Sequence, residues 1–192
     1  MKEGADAAEP RMAERGSRER TMNSAQVLRD AFERIEQEVH AVLADVSSEE
    51  LVARIGPDAN SICWLVWHLT RIQDDHVADV AGAEQVYTAA GFSTRFALPF
   101  DDDATGYGHS SAEVAAVRAE AELLGEYYDA VHAATLKFVD GLSDADLDRV
   151  VDTRWDPPVT LGARLVSVIA DDLQHVGQAA YARGILTNPA PA

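Results

Sequence analysis

One long amphipathic helix is predicted within residues 161–186, LGARLVSVIADDLQHVGQAAYARGIL. Apolar side chains recur there at intervals of three and four residues, which is typical of a helix packed on one side. They are Leu161, Leu165, Val168, Ile169, Leu173 and Val176. We expect this helix to begin near Thr160, after Pro157-Pro158, and to end at Gly184. A helix of this length needs neighbours of similar length to cover its apolar side.

Three further long helices are predicted before it, each from the same periodicity. They span residues 24–45, 60–82 and 110–141. A shorter helical turn is predicted from residue 47 to the Gly56-Pro57 pair. Capping boxes, in which a Ser is followed three residues later by Glu, mark the start of this short helix and of the third long one. The chain therefore predicts an all-α fold, a four-helix bundle.

A long connection, residues 83–109, joins the second and third long helices and lets them run parallel to each other. Its aromatic residues indicate that it packs against the bundle: Tyr87, Phe92, Phe96, Phe100 and Tyr107. Residues 1–22 hold no Leu, Ile, Val or aromatic side chain, so we expect a disordered extension there. The bundle is predicted to occupy residues 23–186 as one domain, followed by a short tail, 187–192.

The composition excludes several classes of partner. The chain has 33 acidic and 16 basic residues, a net charge of −17, and such a surface repels nucleic acids and anionic membranes. No apolar run is long enough for a transmembrane helix, and the N-terminus lacks the apolar core of a signal peptide. The only cysteine is Cys63, so no internal disulfide forms. We expect a cytoplasmic monomer or homodimer whose partners are small molecules.

Three polar residues, Asp171, Asp172 and His175, interrupt the apolar side of the last helix. Asp171 and His175 are one turn apart at its edge, whereas Asp172 lies nearer its middle. A buried carboxylate is costly without a partner or a metal ion. The second long helix offers His68 within its own apolar stripe. His68, Asp171 and His175 on facing helices suit zinc, nickel or a similar divalent metal, with Asp172 as an alternative ligand.

Structural alternatives stay open for each of these residues. A histidine in an apolar stripe is often a hydrogen-bonded core residue, and an Asp171–His175 pair bridging to His68 needs no metal. Asp75 lies two turns after His68 and is a candidate for orienting its ring, or else a surface carboxylate. Gln178, one turn after His175, is a candidate for binding substrate, or else for capping local polar groups.

The other residues whose side chains could react or bind a metal are expected to have structural roles. Cys63 lies across its helix from His68 and is predicted to fill space. The stretch DDDATGYGHSSAE, residues 101–113, begins like a calcium-binding loop, but its twelfth residue is Ala112, so we predict a turn. His76 and His109 are candidates for approaching the metal site, but surface positions are predicted for both.

Two segments resemble the DinB-like superfamily. NSICWLVWHLTRIQDD, residues 60–75, is similar to its histidine-bearing second helix, and residues 165–186 are similar to its last helix. The motif there is a histidine, three residues, a second histidine, a small residue, Gly and Gln, and HVGQ at 175–178 supplies its end. The first histidine corresponds to Asp171. The actinobacterial branch with mycothiol-dependent maleylpyruvate isomerase and mycothiol S-transferases carries a carboxylate there, a glutamate where this chain has the shorter aspartate.

This resemblance covers residues 24–185 and implies both a fold and a function. The fold is a four-helix bundle with a long crossover, holding zinc or nickel on His68, Asp171 and His175. The function is that of a transferase or isomerase, in which a metal-activated, mycothiol-like thiol attacks a small electrophile. Two alternatives remain: a non-enzymatic metal-binding or stress-associated bundle that acts through dimerisation or a partner, and a metal-dependent hydrolase.

Overall fold

Four long helices pack together in the computed structural model, which describes residues 22–188. They are α1 (Ser24–Leu43), α3 (Ile62–Ala81), α7 (Ala121–Val139) and α8 (Leu161–Thr187). The shorter elements are α2 (Ser48–Val52), α4 (Val86–Ala89), α5 (Phe92–Phe96), α6 (Ser111–Ala116), a 3₁₀ helix (Asp144–Asp148) and a hairpin of β1 (Val150–Asp152) and β2 (Val159–Thr160). The predicted four-helix bundle is confirmed. Of the predicted extension and tail, residues 1–21 and 189–192 lie outside the described part of the chain.

The helices are arranged as a square in which α1 and α3 are diagonal, each packed against both α7 and α8. Helices α3 and α7 run parallel. At one end the Cys63 thiol lies 3.8 Å from the Ala119 carbonyl, and further along both helices Gln73 Nε2 donates to Thr135 Oγ1 at 2.8 Å. The long connection between them thus carries the chain back along the bundle to the end at which α3 begins, as its length predicted.

Helix α3 is the most deeply buried of the four. Its buried side chains lie on all sides of the helix and include polar ones, since it contacts α7, α8 and the long connection. The other helices bury one side, as in α1, where Phe32, Ile35 and Val39 are fully covered. Within residues 22–188, no helix combines the length and the apolar character that crossing a bilayer requires. Functional groups placed on α3 therefore face protein rather than water.

The aromatic residues of the connection pack around Tyr127 on α7. The ring centroids of Tyr87, Phe92 and Phe96 lie 5.4, 5.0 and 5.6 Å from that of Tyr127, and all four side chains are buried. The prediction that this connection packs down is confirmed for these residues. It is wrong for Tyr107, which is 91 % exposed.

Asp74 on α3 holds the start of the connection. Its carboxylate accepts hydrogen bonds from the backbone N–H groups of Val86 and Tyr87, both at 2.8 Å, and from the Tyr127 hydroxyl at 2.9 Å. Its Oδ2 also lies 3.6 Å from the buried Arg71 guanidinium. These bonds satisfy the N-terminal amides of α4, which would otherwise be left without partners.

The third predicted helix, 110–141, is wrong as a single element, because the chain forms α6 and α7 with a break between them. At the break Val117 turns into the core and is only 1 % exposed. Glu120 accepts a hydrogen bond from the Ser48 hydroxyl at 2.7 Å. No Gly or Pro interrupts this stretch, so tertiary contacts outweigh its helical preference.

Two helix ends, a hairpin and one side chain also differ from prediction. Helix α2 ends at Val52 rather than at Gly56-Pro57, and α8 continues through Gly184 to Thr187. The hairpin before α8 was not predicted, although β-branched residues flank its turn. Leu173, assigned to the apolar side of α8, is 47 % exposed on its outer face.

Candidate metal centre

His68, Asp171 and His175 meet between α3 and α8, and we call this group the His68 site. One ligand atom from each residue lies within 4.8 Å of the other two. His175 Nε2 is 3.5 Å from Asp171 Oδ1, and the two imidazole rings are nearly perpendicular with centroids 4.7 Å apart. Ligand atoms around zinc lie about 2 Å from the ion and therefore about 3–4 Å from one another. Small side-chain movements would bring these three donors to one ion.

Two buried atoms of the His68 site have no hydrogen-bond partner among the described residues. They are Asp171 Oδ2 and His175 Nδ1. Such atoms are rare in folded proteins, because their desolvation is uncompensated. The donor set of two imidazoles and one carboxylate matches the preference of zinc and nickel. The residues present therefore fit the metal that the sequence predicted.

The ring of His68 is held in a defined state by the connection. His68 Nδ1 lies 2.6 Å from the Thr105 carbonyl, which only accepts, so Nδ1 carries the proton and Nε2 the lone pair. Burial lowers the pKa of His68, which favours the neutral ring. A metal-binding histidine usually donates its other ring N–H to a carbonyl or carboxylate in this way, and this bond fixes the orientation of the ring.

Asp75 lies away from His68, although both belong to one row of α3. Its Oδ1 accepts a hydrogen bond from Gln85 Nε2 at 2.8 Å, and its Oδ2 lies 3.5 Å from His76 Nδ1. Two helical turns correspond to a rise of about 11 Å, so a shared row does not bring the side chains into contact. Thr105 orients His68 in place of Asp75.

Burial would raise the pKa of Asp171, but the nearby imidazole of His175, with the charges of His68 and His76, outweighs it and lowers this pKa. Asp171 is thus held as a carboxylate and carries the negative charge of the His68 site. His76 itself takes a hydrogen bond from Arg164 on α8 at 3.1 Å and does not join the three donors.

Arg71 fixes the loop that carries Thr105. Its fully buried guanidinium donates to the carbonyls of Asp102 and Ala104 at 2.9 and 3.0 Å. Sequence reasoning missed this residue. The available signal was an arginine three positions after His68, inside a helix that is otherwise largely apolar.

Gly106, the residue after Thr105, lies directly against the site. Its φ is +95°, and a Cβ there would lie 2.8 Å from His68 Nδ1 and 3.0 Å from the Trp67 ring. Both the backbone conformation and the close approach require glycine. This residue was also missed, since the stretch around it was interpreted only as a failed calcium loop. Asp101 and Asp103 of that stretch are exposed, and within residues 22–188 they belong to no metal-ligand cluster.

Aromatic rings form one wall of the His68 site. Trp64 stacks on His68 with centroids 4.4 Å apart, and its Nε1 donates to His109 Nδ1 at 3.2 Å. His109 in turn packs against Trp67 and Phe100. His109 is therefore half-buried beside the site rather than on the open surface where it was predicted. This wall excludes water from one side of His68.

The opposite side of the site is open. The side chain of Asp171 is 34 % exposed, and a surface cavity of about 260 Å³ lies one turn beyond His175 along α8. Leu65, one turn before His68, lines this cavity together with Gln178 and Tyr181. Gln178 thus lies one turn beyond the site, on the wall of a neighbouring cavity.

Asp172 does not join the three donors. It is fully buried, and both of its carboxylate oxygens lack hydrogen-bond partners among the described residues. Burial, and then the charge of Asp171, raises its pKa well above the usual value. Asp172 lies near Tyr128 on α7, whose pKa is raised by burial and then by this carboxylate. It faces the core instead of the metal donors.

We expect Asp172→Asn to raise the free energy of unfolding by about 1–3 kcal/mol near neutral pH, because Asn buries no charge. The folded pKa of Asp172 is raised, so the parent loses stability as the pH rises from about 4 through that folded pKa. The gain of the variant is therefore smaller in acid. Urea unfolding of metal-free protein at about pH 5 and about pH 8 measures both effects, with the exposed Asp79→Asn as control. A variant less stable than the parent in both buffers would show that the carboxylate has a stabilising partner.

Cys63 is not placed for nucleophilic chemistry. Its side chain is fully buried beside the Ala119 carbonyl, and burial raises the pKa of the thiol to about 12. The thiolate, which is the reactive form, is therefore suppressed. Cys63 fills space in the core.

The chain is similar in sequence and in fold to known proteins. A family model described as Mycothiol-S-transferase matches residues 27–188. The chain belongs to the mycothiol-S-transferase family. In a crystal structure of a conserved protein from Enterococcus faecalis, 30 % of aligned residues are identical and the TM-score is 0.81, over 87 % of this chain and 99 % of that one. None of the curated proteins matches this chain.

Membership of the mycothiol-S-transferase family confirms the resemblance inferred from residues 60–75 and 165–186. The four packed helices and their likeness to the Enterococcus faecalis protein confirm the DinB-like bundle. The family implies a transferase, with mycothiol as the thiol.

Proposed function

We propose that this protein transfers mycothiol to a small electrophile at a divalent metal held by His68, Asp171 and His175. The observation that carries the proposal is the convergence of these donors between α3 and α8, in a chain of the mycothiol-S-transferase family. Three protein donors leave room for a further ligand, which is the pattern of a catalytic rather than a structural zinc site.

A divalent metal bound there, zinc or nickel, would supply positive charge that favours the thiolate form of a thiol. Two residues of the chain suit the site for such an ion. His68 offers a neutral Nε2 lone pair because Thr105 holds the Nδ1 proton. Asp171 provides one negative charge, so the site retains net positive charge when a divalent ion is present.

The surroundings of the site favour a polar thiol that enters from one side. Trp64 covers His68 and keeps water from that face. The neighbouring cavity, lined by Gln178 and Tyr181, carries an amide and a hydroxyl group that would suit the non-reacting part of the thiol. In the reaction the sulfur–carbon bond forms, the leaving group departs with its electron pair and the thiol proton passes to solvent. An isomerase that adds and then eliminates the thiol would use the same residues.

A thiol panel tests this function. Zinc-loaded protein is incubated with a bimane or halodinitrobenzene electrophile and with mycothiol, glutathione or cysteine. We expect consumption of mycothiol well above the uncatalysed rate and above that of the other thiols. Protein that holds zinc at the His68 site but consumes no mycothiol would contradict the proposal and favour a non-enzymatic metal-binding bundle. Cleavage of an ester without any thiol would favour the hydrolase.

A further inference from the structure

A second group of histidines and carboxylates lies between α1 and α7, on the side of the bundle opposite the His68 site. Glu36 and His40 are one turn apart on α1, and Asp129 and His132 are three residues apart on α7. Each pair therefore projects from one side of its helix toward the other pair. We call these four residues the Glu36 cluster.

The donor atoms of the Glu36 cluster are close together. One ligand atom from each of Glu36, His40 and Asp129 lies within 4.8 Å of the other two. His40 Nε2 is 2.8 Å from Asp129 Oδ1, and His132 Nε2 is 3.4 Å from Glu36 Oε2. Three donors of the cluster thus repeat the spacing of the His68 site, and His132 lies beside them through its contact with Glu36.

His132 is the residue that points to a ligand. It is only 4 % exposed, and its Nδ1 has no hydrogen-bond partner among the described residues. Its Nε2 is directed at Glu36 but lies beyond the usual hydrogen-bond distance. Neither ring nitrogen of His132 is therefore engaged in a short hydrogen bond, and the ring can offer a lone pair to a cation.

We propose that Glu36, His40, Asp129 and His132 form a second binding site for a divalent transition metal such as zinc. Two imidazoles and two carboxylates match zinc in donor type and in number. The imidazoles disfavour magnesium and calcium, which prefer oxygen alone. The two carboxylates balance the charge of the ion, and the ion links α1 to α7. This site does not depend on the thiol chemistry of the His68 site.

Calorimetric titration with zinc alone tests the second site. The parent for this experiment is His68→Ala/His175→Ala, in which the His68 site is removed. We expect it to bind about one equivalent of zinc and to unfold at a higher temperature when zinc is present. Adding Glu36→Gln or His40→Ala should weaken zinc binding at least about tenfold and remove the thermal shift. Glu38→Gln, an exposed change on the same helix, should leave both unchanged.

The ring of His132 provides a second readout. Zinc should shift the nitrogen resonances of His132 in the His68→Ala/His175→Ala protein, and Glu36→Gln should abolish that shift at the same zinc concentration. A parent that binds no zinc would overturn the proposal. So would zinc binding that is equally tight in the Glu36→Gln, His40→Ala and Glu38→Gln variants, because the metal would then lie on scattered surface carboxylates.

Discussion

His68→Ala is expected to reduce kcat/KM for mycothiol transfer by about 100- to 1000-fold. His68 supplies one of three protein donors, and loss of the metal removes several kcal/mol of charge stabilisation, with each 1.4 kcal/mol worth a factor of ten. Alanine favours the helix and leaves the fold intact, because the ring lies at the edge of the core beside the connection. Steady-state rates at saturating zinc, with circular dichroism to verify folding, measure the effect.

His76→Ala is the matched control for this prediction. His76 is a half-buried histidine two turns further along α3, and its ring bonds Arg164 instead of joining the three donors. We expect kcat/KM of His76→Ala to stay within about threefold of the parent value. A folded His68→Ala protein with the parent's zinc-dependent rate would rule out His68 as a ligand in the reaction.

Gly106→Ala is expected to weaken zinc binding at the His68 site by about 10- to 100-fold, the range typical for loss of a group that supports a metal ligand. The added methyl group would lie 2.8 Å from His68 Nδ1, so the loop must retreat and the hydrogen bond from His68 Nδ1 to the Thr105 carbonyl must lengthen. Zinc affinity, measured by competition with a chelator, reports the change directly. Transfer of mycothiol at limiting zinc should fall in parallel.

Gly108→Ala is the control that distinguishes the contact with His68 from backbone strain. Gly108 also has positive φ, +75°, but nothing lies within 4 Å of the position where a Cβ would be added. Both variants carry the cost of a left-handed alanine, whereas only Gly106→Ala meets His68. If the two changes weaken zinc binding equally, the support of His68 by this loop is not what sets the affinity.

The bundle could be predicted from the sequence because its helices bury apolar sides with a clear period. Less could be predicted where long-range contacts decide the outcome. The break between α6 and α7 occurs among good helix formers, and Val117 turns inward only because a core exists there to receive it. The hairpin before α8 pairs short strands whose hydrogen bonds no single-residue pattern reveals.

The donors of the candidate site could be predicted because i, i+4 spacing on one helix and an inward histidine on another are local features. The groups that hold these donors in place could not be predicted. The atom behind His68 is a backbone carbonyl, Thr105 O, and any residue type could supply it. Arg71 and Gly106 act through the path of the connection, which becomes apparent only when the loop is folded against α3. The orientation of Asp172 into the core likewise depends on which neighbour α8 meets.

Zinc titration of metal-free protein, followed by the rate of mycothiol transfer, tests the central claim most directly. The Glu36→Gln variant is used, so that the proposed second site competes less for zinc. We predict a rate near the uncatalysed value without zinc, a linear rise with added zinc and a plateau at about one equivalent per chain, with no rise in Glu36→Gln/His68→Ala. A full rate in the metal-free protein, or no mycothiol transfer with one equivalent of zinc bound, would contradict the account.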